Sequence, residues 1–344
     1  MEKERLEFID IAKGLGIFCV VSGHLMGEGG IIFVGSMKLR ELIYSFHMPL
    51  FFLISGILLR NSLGEESYST GFVIRRAKKA VQTLLIPYFL WSIIYYIVSD
   101  INGNQNLVDW IPYVITFRGV APLWFLAALF LSELTVFLIL FITKRHWEQI
   151  IILVLLLFFA GKCSVLKSNC EDCSVWERFL FITFGRNFAC SFFVLFGWAF
   201  ADFFIMAKDW KTDLFLVSSV VLLFGVFDTM WGGVNLHLLS WRKNISFFVF
   251  GIAGSTVVMV LSKRLEQIEL GCKIRRFHDL LKKLGRNSLG IMLLHYPPFP
   301  FMRYSVSVCN LWKLEGIIQF VFALVFVIFV CDTAVSLMKN GKFL

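Results

Sequence analysis

The sequence lacks the features that usually separate or export soluble domains. No long polar stretch or low-complexity linker interrupts its 344 residues, only 17% of which are charged. No small-residue cleavage site follows the first apolar run, and that run contains Asp10 and Lys13, which argues against a cleavable signal peptide. The sequence also shows no convincing internal repeat. We therefore expect a single domain over residues 1–344, without an appended soluble domain.

Apolar residues dominate what is present. The chain is 58% hydrophobic and contains 39 Phe and 10 Trp, a composition typical of proteins that cross a membrane several times. A membrane-spanning helix needs about 20 predominantly apolar residues. The sequence therefore predicts an all-α integral membrane protein, a bundle of about ten transmembrane helices at 8–27, 41–59, 80–99, 121–143, 149–163, 179–205, 212–231, 244–262, 284–303 and 314–338.

The positive charge follows this pattern of spans. The net charge is +9, but no soluble domain carries a basic face, so we expect no nucleic-acid partner. If the N-terminus is cytoplasmic, the cytoplasmic connections hold about twice as many Lys and Arg residues as the outer ones. This bias predicts a multi-pass protein of the cell membrane with both termini in the cytoplasm.

The first apolar run carries three ionisable residues, Asp10, Lys13 and His24. A charged side chain at the centre of a membrane helix costs at least ~2.5 kcal/mol, so such residues usually face a protein interior or a functional site. Lys13 and His24 lie about three helical turns apart, on nearly the same face and separated by roughly 16 Å. Asp10 is one turn before Lys13 and can pair with it. The sequence predicts a functional polar stripe along this helix.

Further polar and aromatic side chains occur in the other predicted spans. In the predicted topology they form an outer group and an inner, basic group. The outer group contains His47, Trp124, Glu133, Arg186 and His295, and the inner group contains Arg75, Arg76 and Lys79.

Each of these residues also has a simpler interpretation. His47 fits an interfacial side chain that reaches water, and Trp124 fits the aromatic belt at the membrane surface. The basic run fits a cytoplasmic anchor. Glu133 and Arg186 fit a structural ion pair within the bundle. The sequence alone leaves these alternatives open.

The cysteine and histidine patterns do not predict a metal site. Cys163, Cys170 and Cys173 fall in one short segment without a nearby His, so a disulfide and inert thiols are both compatible with it. The histidines show no His-x-x-x-His spacing and no carboxylate-rich motif. We therefore expect no bound metal.

The chain resembles membrane acyltransferase family 3, the bacterial O-acyltransferases that modify cell-surface sugars, and within it the fucose-4-O-acetylase-like proteins. The signature of the family is Arg or Lys, ten residues, then His, and it falls here on Lys13 and His24. Lys replaces the commoner Arg, so a bidentate contact is lost at this position. Other matching segments follow in order along the chain: Phe46–Phe52, Arg75–Lys79 with Pro87, Pro122–Leu126 and Gly285–His295.

The resemblance implies acetyl transfer from cytoplasmic acetyl-CoA to a hydroxyl of a surface or lipid-linked carbohydrate. A hydroxyl needs a general base at neutral pH, and His24 suits that role. His47 or Glu133 are candidates to orient its imidazole, and the inner cations are candidates to hold the CoA phosphates. A different class, a transporter or flippase for a sugar or lipid-linked intermediate, is also compatible with intramembrane charges and glycines.

Overall fold

A computed structural model describes residues 5–63, 70–100, 107–143, 145–170, 173–206, 213, 215–217, 219–220, 235–241, 244–267, 272–296, 304, 306–309 and 314–340. These residues form helices and contain no β-strand, only one isolated bridge between Asn235 and Ser240. The α-helices are α1 (Glu7–Met26), α2 (Ser36–Leu63), α3 (Thr70–Ala80), α4 (Ile86–Asp100), α5 (Leu107–Ile115), α6 (Trp124–Ile142), α7 (His146–Ser168), α8 (Val175–Ala199), α9 (Ala201–Met206), α10 (Asn244–Gln267), α11 (Cys272–Leu294) and α12 (Gly316–Asn340).

Within the described residues, eight helical stretches are long and apolar enough to cross a membrane. They correspond to eight of the ten predicted spans. The seventh predicted span, 212–231, lies mostly outside the described residues. All-α membrane architecture is thus confirmed, whereas the count of ten and the cytoplasmic location of both termini stay predictions.

Two helix boundaries differ from the predicted ones for identifiable reasons. The basic run before Pro87 is helical, because α3 continues through a π-helical turn at Val81–Leu85 into α4. Pro87 lacks an N–H, so the preceding turn adopts a wider hydrogen-bond register. The first part of the predicted span 284–303 belongs to α11, which begins at Cys272 and ends at Leu294, while residues 297–303 lie outside the described residues. Tyr296 precedes Pro297, which disfavours helical backbone there.

The chain divides into two compact units. The first contains Met1–Phe51, Lys208–Trp231 and Phe250–Leu344, and the second contains Phe52–Ala207 and Gly232–Val249. In the first unit, α1 packs against α11 and α12. In the second, α8 packs against α6 and α7. α7 keeps apolar residues such as Ile150 and Val154 exposed, as expected for a face that meets lipid.

Glycines bring α1 and α11 close together in the first unit. A Cβ atom at Gly14 would collide with the backbone carbonyl of Leu281, and one at Gly285 would collide with that of Asp10. Small residues at a helix interface permit this close approach in a membrane. The contact extends from the Glu7–Lys282 ion pair to the rings of His24 and His295, so both helices run in the same direction.

Candidate active site

His24 lies in the last turn of α1 and forms a hydrogen bond with Glu28, in the turn that follows the helix. The distance between His24 Nδ1 and Glu28 Oε2 is 2.8 Å. A carboxylate only accepts hydrogen bonds, so Nδ1 carries a proton and donates. In the neutral imidazole, Nε2 then has a free lone pair, which is the form a general base requires.

Glu28 is suited to keep its charge. Burial raises the pKa of this carboxyl, but the hydrogen bond and the nearby charge of His24 outweigh burial and hold the pKa below its ordinary value. An ionised carboxylate at Nδ1 fixes the tautomer of an imidazole and stabilises the imidazolium that forms when Nε2 takes a proton. Sequence reasoning considered His47 and Glu133 for this role and missed Glu28, although the His24–Glu28 spacing of four residues was a usable signal.

A second imidazole completes the cluster around His24. The ring of His295 lies 5.1 Å from that of His24, and Tyr296 packs edge-on against His24 at the same distance between ring centroids. His295 is fully buried, and its Nδ1 donates to the carbonyl of Ile291 over 3.1 Å. Its Nε2 is buried and has no hydrogen-bond partner among the described residues. An unpaired buried acceptor is costly, which suggests that a ligand group completes it.

His47 belongs to the same unit but does not orient His24. Its Nδ1 donates to the carbonyl of Ile43 over 2.7 Å. The ring of Tyr44 packs on both imidazoles, 6.2 Å from His24 and 5.1 Å from His47. His47 therefore packs against Tyr44, which in turn contacts His24, and the burial of His47 excludes the interfacial position that the sequence left open.

The acidic end of the α1 stripe is paired differently from the sequence expectation. Asp10 accepts a hydrogen bond of 2.7 Å from Nε of Arg5, and not one from Lys13. Lys13 is half-buried and forms no salt bridge within the part of the chain that the structure describes. The close approach of α1 and α11 at Gly14 lies directly beside it.

The predicted inner cations and Glu133 lie in the second unit. Arg75 and Lys79 are exposed on α3, whereas Arg76 is half-buried and packs over the ring of Phe72. Glu133 interacts electrostatically with Arg76 and Lys79. It also accepts a hydrogen bond of 2.6 Å from Ser55, so its hydroxyl partner comes from α2.

Arg186 and Trp124 form another cluster in the second unit, with two residues that sequence reasoning missed. Arg186 donates to the carbonyls of Phe117 and Arg118 over 2.7 and 3.1 Å, and not to Glu133 as the ion-pair alternative required. Its guanidinium lies over the Trp124 ring, which also stacks on His237. The ring of Trp124 is buried, which excludes a place in an exposed aromatic belt. No local sequence signal links Arg118 with His237, because they are 119 residues apart.

Two further observations concern cysteines and metals. The structure joins Cys170 and Cys173 in a disulfide, while Cys163 is a free thiol. In the described ranges, no group of three His, Cys, Asp or Glu side chains lies close enough to hold a metal ion.

Comparison with known proteins identifies the family. The sequence profile of an acyltransferase domain matches residues 6–335. Nodulation protein NolL of Mesorhizobium japonicum (strain LMG 29417 / CECT 9101 / MAFF 303099) is 32% identical over 129 residues, which cover 36% of this chain and 33% of that protein. The chain thus matches about a third of the length of this relative. No solved structure matches significantly. Because the profile extends over nearly the whole chain, the chain belongs to membrane acyltransferase family 3.

Proposed function

We propose that the protein is a multi-pass O-acetyltransferase of the cell membrane, with both termini in the cytoplasm. It transfers the acetyl group of cytoplasmic acetyl-CoA to a hydroxyl of a cell-surface or lipid-linked carbohydrate. The family supports acyl transfer. The observation that carries the proposal is the hydrogen bond between His24 and Glu28, which prepares Nε2 of His24 to accept a proton.

In the proposed reaction, Nε2 of His24 removes the proton of the acceptor hydroxyl as its oxygen attacks the thioester carbonyl. The Glu28 carboxylate stabilises the imidazolium that results. The carbon–sulfur bond then breaks, and the imidazolium returns the proton to the CoA thiolate. The products are the acetyl ester and CoA with a free thiol, so atoms and charges balance.

His295 and Tyr296 are proposed to position the acceptor. Nε2 of His295 is a buried acceptor without a partner, and the hydroxyl of a sugar can donate to it. Tyr296 packs against His24 and presents an aromatic edge at the same place. His47 supports this group through Tyr44. Together these contacts would fix the reacting hydroxyl against His24, which lowers the entropic cost of the transfer.

The donor is proposed to bind through cations on α3. Arg75, Arg76 and Lys79 offer guanidinium and ammonium groups to the phosphates of CoA. Glu133 positions Arg76 by its charge and is itself held by Ser55. Lys13 forms no salt bridge in the described structure, although Asp10 interacts with it electrostatically, and it is the α1 cation proposed to interact with the donor. Asp10 holds the start of α1 through Arg5.

The test is an assay with purified protein, radiolabelled acetyl-CoA and extracted surface glycans. We expect labelled glycan and free CoA from the wild type and from His146→Ala, a matched control in which an exposed His is removed. His24→Ala should form no product while remaining folded and membrane-inserted. Transport of unmodified glycan without acetylation would instead support the transporter class, and normal product from His24→Ala would refute the assigned base.

The donor site has its own test, which is binding of a non-hydrolysable acetyl-CoA analogue measured by calorimetry. Arg76→Ala should weaken this binding, because it removes a half-buried guanidinium from α3. Arg178→Ala removes an exposed Arg of the same unit and should have no effect. Equal affinity of the Arg76 and Arg178 variants would refute the donor assignment.

A further inference from the structure

The second unit contains two buried guanidinium groups in one cluster, those of Arg118 and Arg186. Arg118 is 7% exposed and Arg186 is 1% exposed. Arg186 donates to the carbonyl of Arg118, and both residues contact His237, Arg118 at its ring and Arg186 at its carbonyl. The two positive charges are therefore neighbours within one desolvated cluster.

Among the described residues, the groups that accept hydrogen bonds from these cations are neutral. Arg186 donates to backbone carbonyls, and Arg118 donates through Nη1 to Nε2 of His237. Since Arg cannot accept, Nε2 of this His is unprotonated and the neutral imidazole carries its proton on Nδ1. Within the described ranges, neither guanidinium forms a salt bridge. Buried charges are normally paired, because an uncompensated one loses its hydration without an electrostatic return.

Arg118 also has an unsatisfied donor. Its Nε is buried and lacks a hydrogen-bond partner among the described residues. Its guanidinium is flanked by the rings of Tyr113 and Phe179, which leave the plane of the group in a fixed orientation. Burial lowers the pKa of Arg118 from its ordinary value, in keeping with a cation that lacks a counter-charge. A rigid donor that points at no acceptor is a feature of a ligand site.

The backbone around Arg118 is built to hold this position. The segment between α5 and α6 is irregular, and Phe117 and Gly119 adopt positive φ values of 55° and 68°. Other helices bond to this segment and to the end of α5: Thr183 donates to the carbonyl of Thr116 over 2.8 Å, and Tyr88 donates to the carbonyl of Val114 in α5 over 2.9 Å. Irregular backbone in a membrane protein is stable where it is buried in protein or lines a cavity. The strain at Phe117 is thus compensated by contacts that fix Arg118.

We propose that Arg118 and Arg186 bind a phosphate group of a substrate. A phosphate monoester carries about −1.5 to −2 charges at neutral pH, and the diphosphate bridge of CoA or of a lipid-linked sugar carries a similar total, so either balances two guanidinium groups, whereas a carboxylate would balance one. Guanidinium groups match phosphate oxygens with parallel hydrogen bonds. The proposal deepens the acetyltransferase function and rests on it for the source of the phosphate, which is either acetyl-CoA or a lipid-linked carbohydrate acceptor.

Equilibrium binding without turnover tests the proposal. The purified full chain in detergent is titrated separately with CoA and with a short-chain polyprenyl phosphate. We expect Arg118→Gln to weaken the binding of one of these probes at least tenfold, and that probe identifies the source of the phosphate. Arg118→Lys should lose a similar amount, because a point charge lacks the guanidinium fork. Arg178→Gln, at an exposed Arg of the same unit, should bind both probes as the wild type does.

Separate measurements distinguish three outcomes: a variant that does not fold, a wrong assignment of the phosphate site, and a wrong assignment of the catalytic base. Size-exclusion behaviour and the thermal midpoint verify that each variant is folded, and Arg118→Lys retains the buried charge if Arg118→Gln is unstable. Wild-type affinity for both probes in a folded Arg118 variant would overturn the site. Binding of neither probe by the wild type would overturn it as well. Full activity of His24→Ala would refute the catalytic base and leave this result unaffected.

Discussion

The cluster around His24 and the cluster around Arg186 use ionisable residues in opposite ways. His24 is partly exposed and pairs with an ionised acid four residues away, so its charge state can change with the help of a partner. Arg186 is fully buried and bonds to backbone carbonyls of a distant loop. The first arrangement is suited to moving a proton, and the second to holding backbone in place and attracting an anion. Substitution of His24 should lower the acetyltransferase activity, and substitution of Arg186 should lower the stability of the protein.

The largest effect is expected from His24→Gln. A positioned general base contributes about 10²- to 10⁴-fold to rate, so we expect acetyl transfer to fall by roughly that factor. The thermal midpoint should stay close to the wild-type value, because Gln retains a polar side chain at a partly exposed position. Parallel assays of radiolabel transfer and thermal unfolding measure both. A strongly lowered midpoint would break the distinction between the two clusters.

Arg186→Met should have the reverse profile. It leaves the carbonyls of Phe117 and Arg118 without their donor, at a cost of about 1–3 kcal/mol for each buried unsatisfied group. We expect the free energy of unfolding in detergent to fall by about 3 kcal/mol. Arg178→Met, at an exposed position, should change it by less than about 0.5 kcal/mol. Equal stability of the two variants would show that Arg186 does not hold the loop.

Glu28→Gln sharpens the comparison inside the first cluster. Gln keeps the size of the side chain but removes the charge that stabilises the imidazolium of His24. We expect kcat/KM to fall roughly tenfold, equivalent to about 1.4 kcal/mol of transition-state stabilisation. The fall should be absent in a His24→Gln background, because Glu28 acts through that imidazole. An additive loss in the double variant would contradict the orienting role.

The smallest effect is expected from Ser55→Ala. It removes the hydroxyl that donates to Glu133 over 2.6 Å, while the attraction of Arg76 and Lys79 remains. We expect a loss of about 1 kcal/mol in the free energy of unfolding, typical of one hydrogen bond. Donor affinity should fall slightly more than acceptor affinity, which calorimetry with the acetyl-CoA analogue would measure. If neither the free energy of unfolding nor the donor affinity changed, the proposed link between Glu133 and donor binding would be contradicted.

The sequence predicted features that depend on local regularity. Apolar runs of sufficient length predicted eight helices that the structure contains, since burying a helix in lipid requires only its own composition. Helical periodicity also placed Lys13 and His24 on nearly the same face of α1. The predicted bounds differ where a local signal is ambiguous: the third span was predicted to begin at residue 80, whereas the helix already begins at Thr70 and continues through a π-helical turn before Pro87.

Most contacts of the site residues could not be predicted in this way, because they join residues that are far apart in the sequence. The bond from His24 to Glu28 was readable in principle, because the two residues are four apart and Glu28 lies in the turn that directly follows α1. The contact of His24 with His295 joins residues 271 positions apart, and that of Arg118 with His237 joins residues 119 positions apart. The helical periodicity of a sequence contains no information about contacts between residues so far apart along the chain.

The sequence by itself determined which segments are helical and apolar. It also determined which of these segments contain ionisable side chains, whose burial in a membrane costs free energy. The tertiary structure alone decided which polar groups from distant segments meet: His24 with His295, and Arg186 with the backbone carbonyls of the loop before α6. The physical reason is that helix formation depends on contacts within four residues, whereas helix packing depends on surface complementarity. At Gly14 and Gly285 that complementarity brings α1 onto α11, and the candidate active site forms where these two helices end.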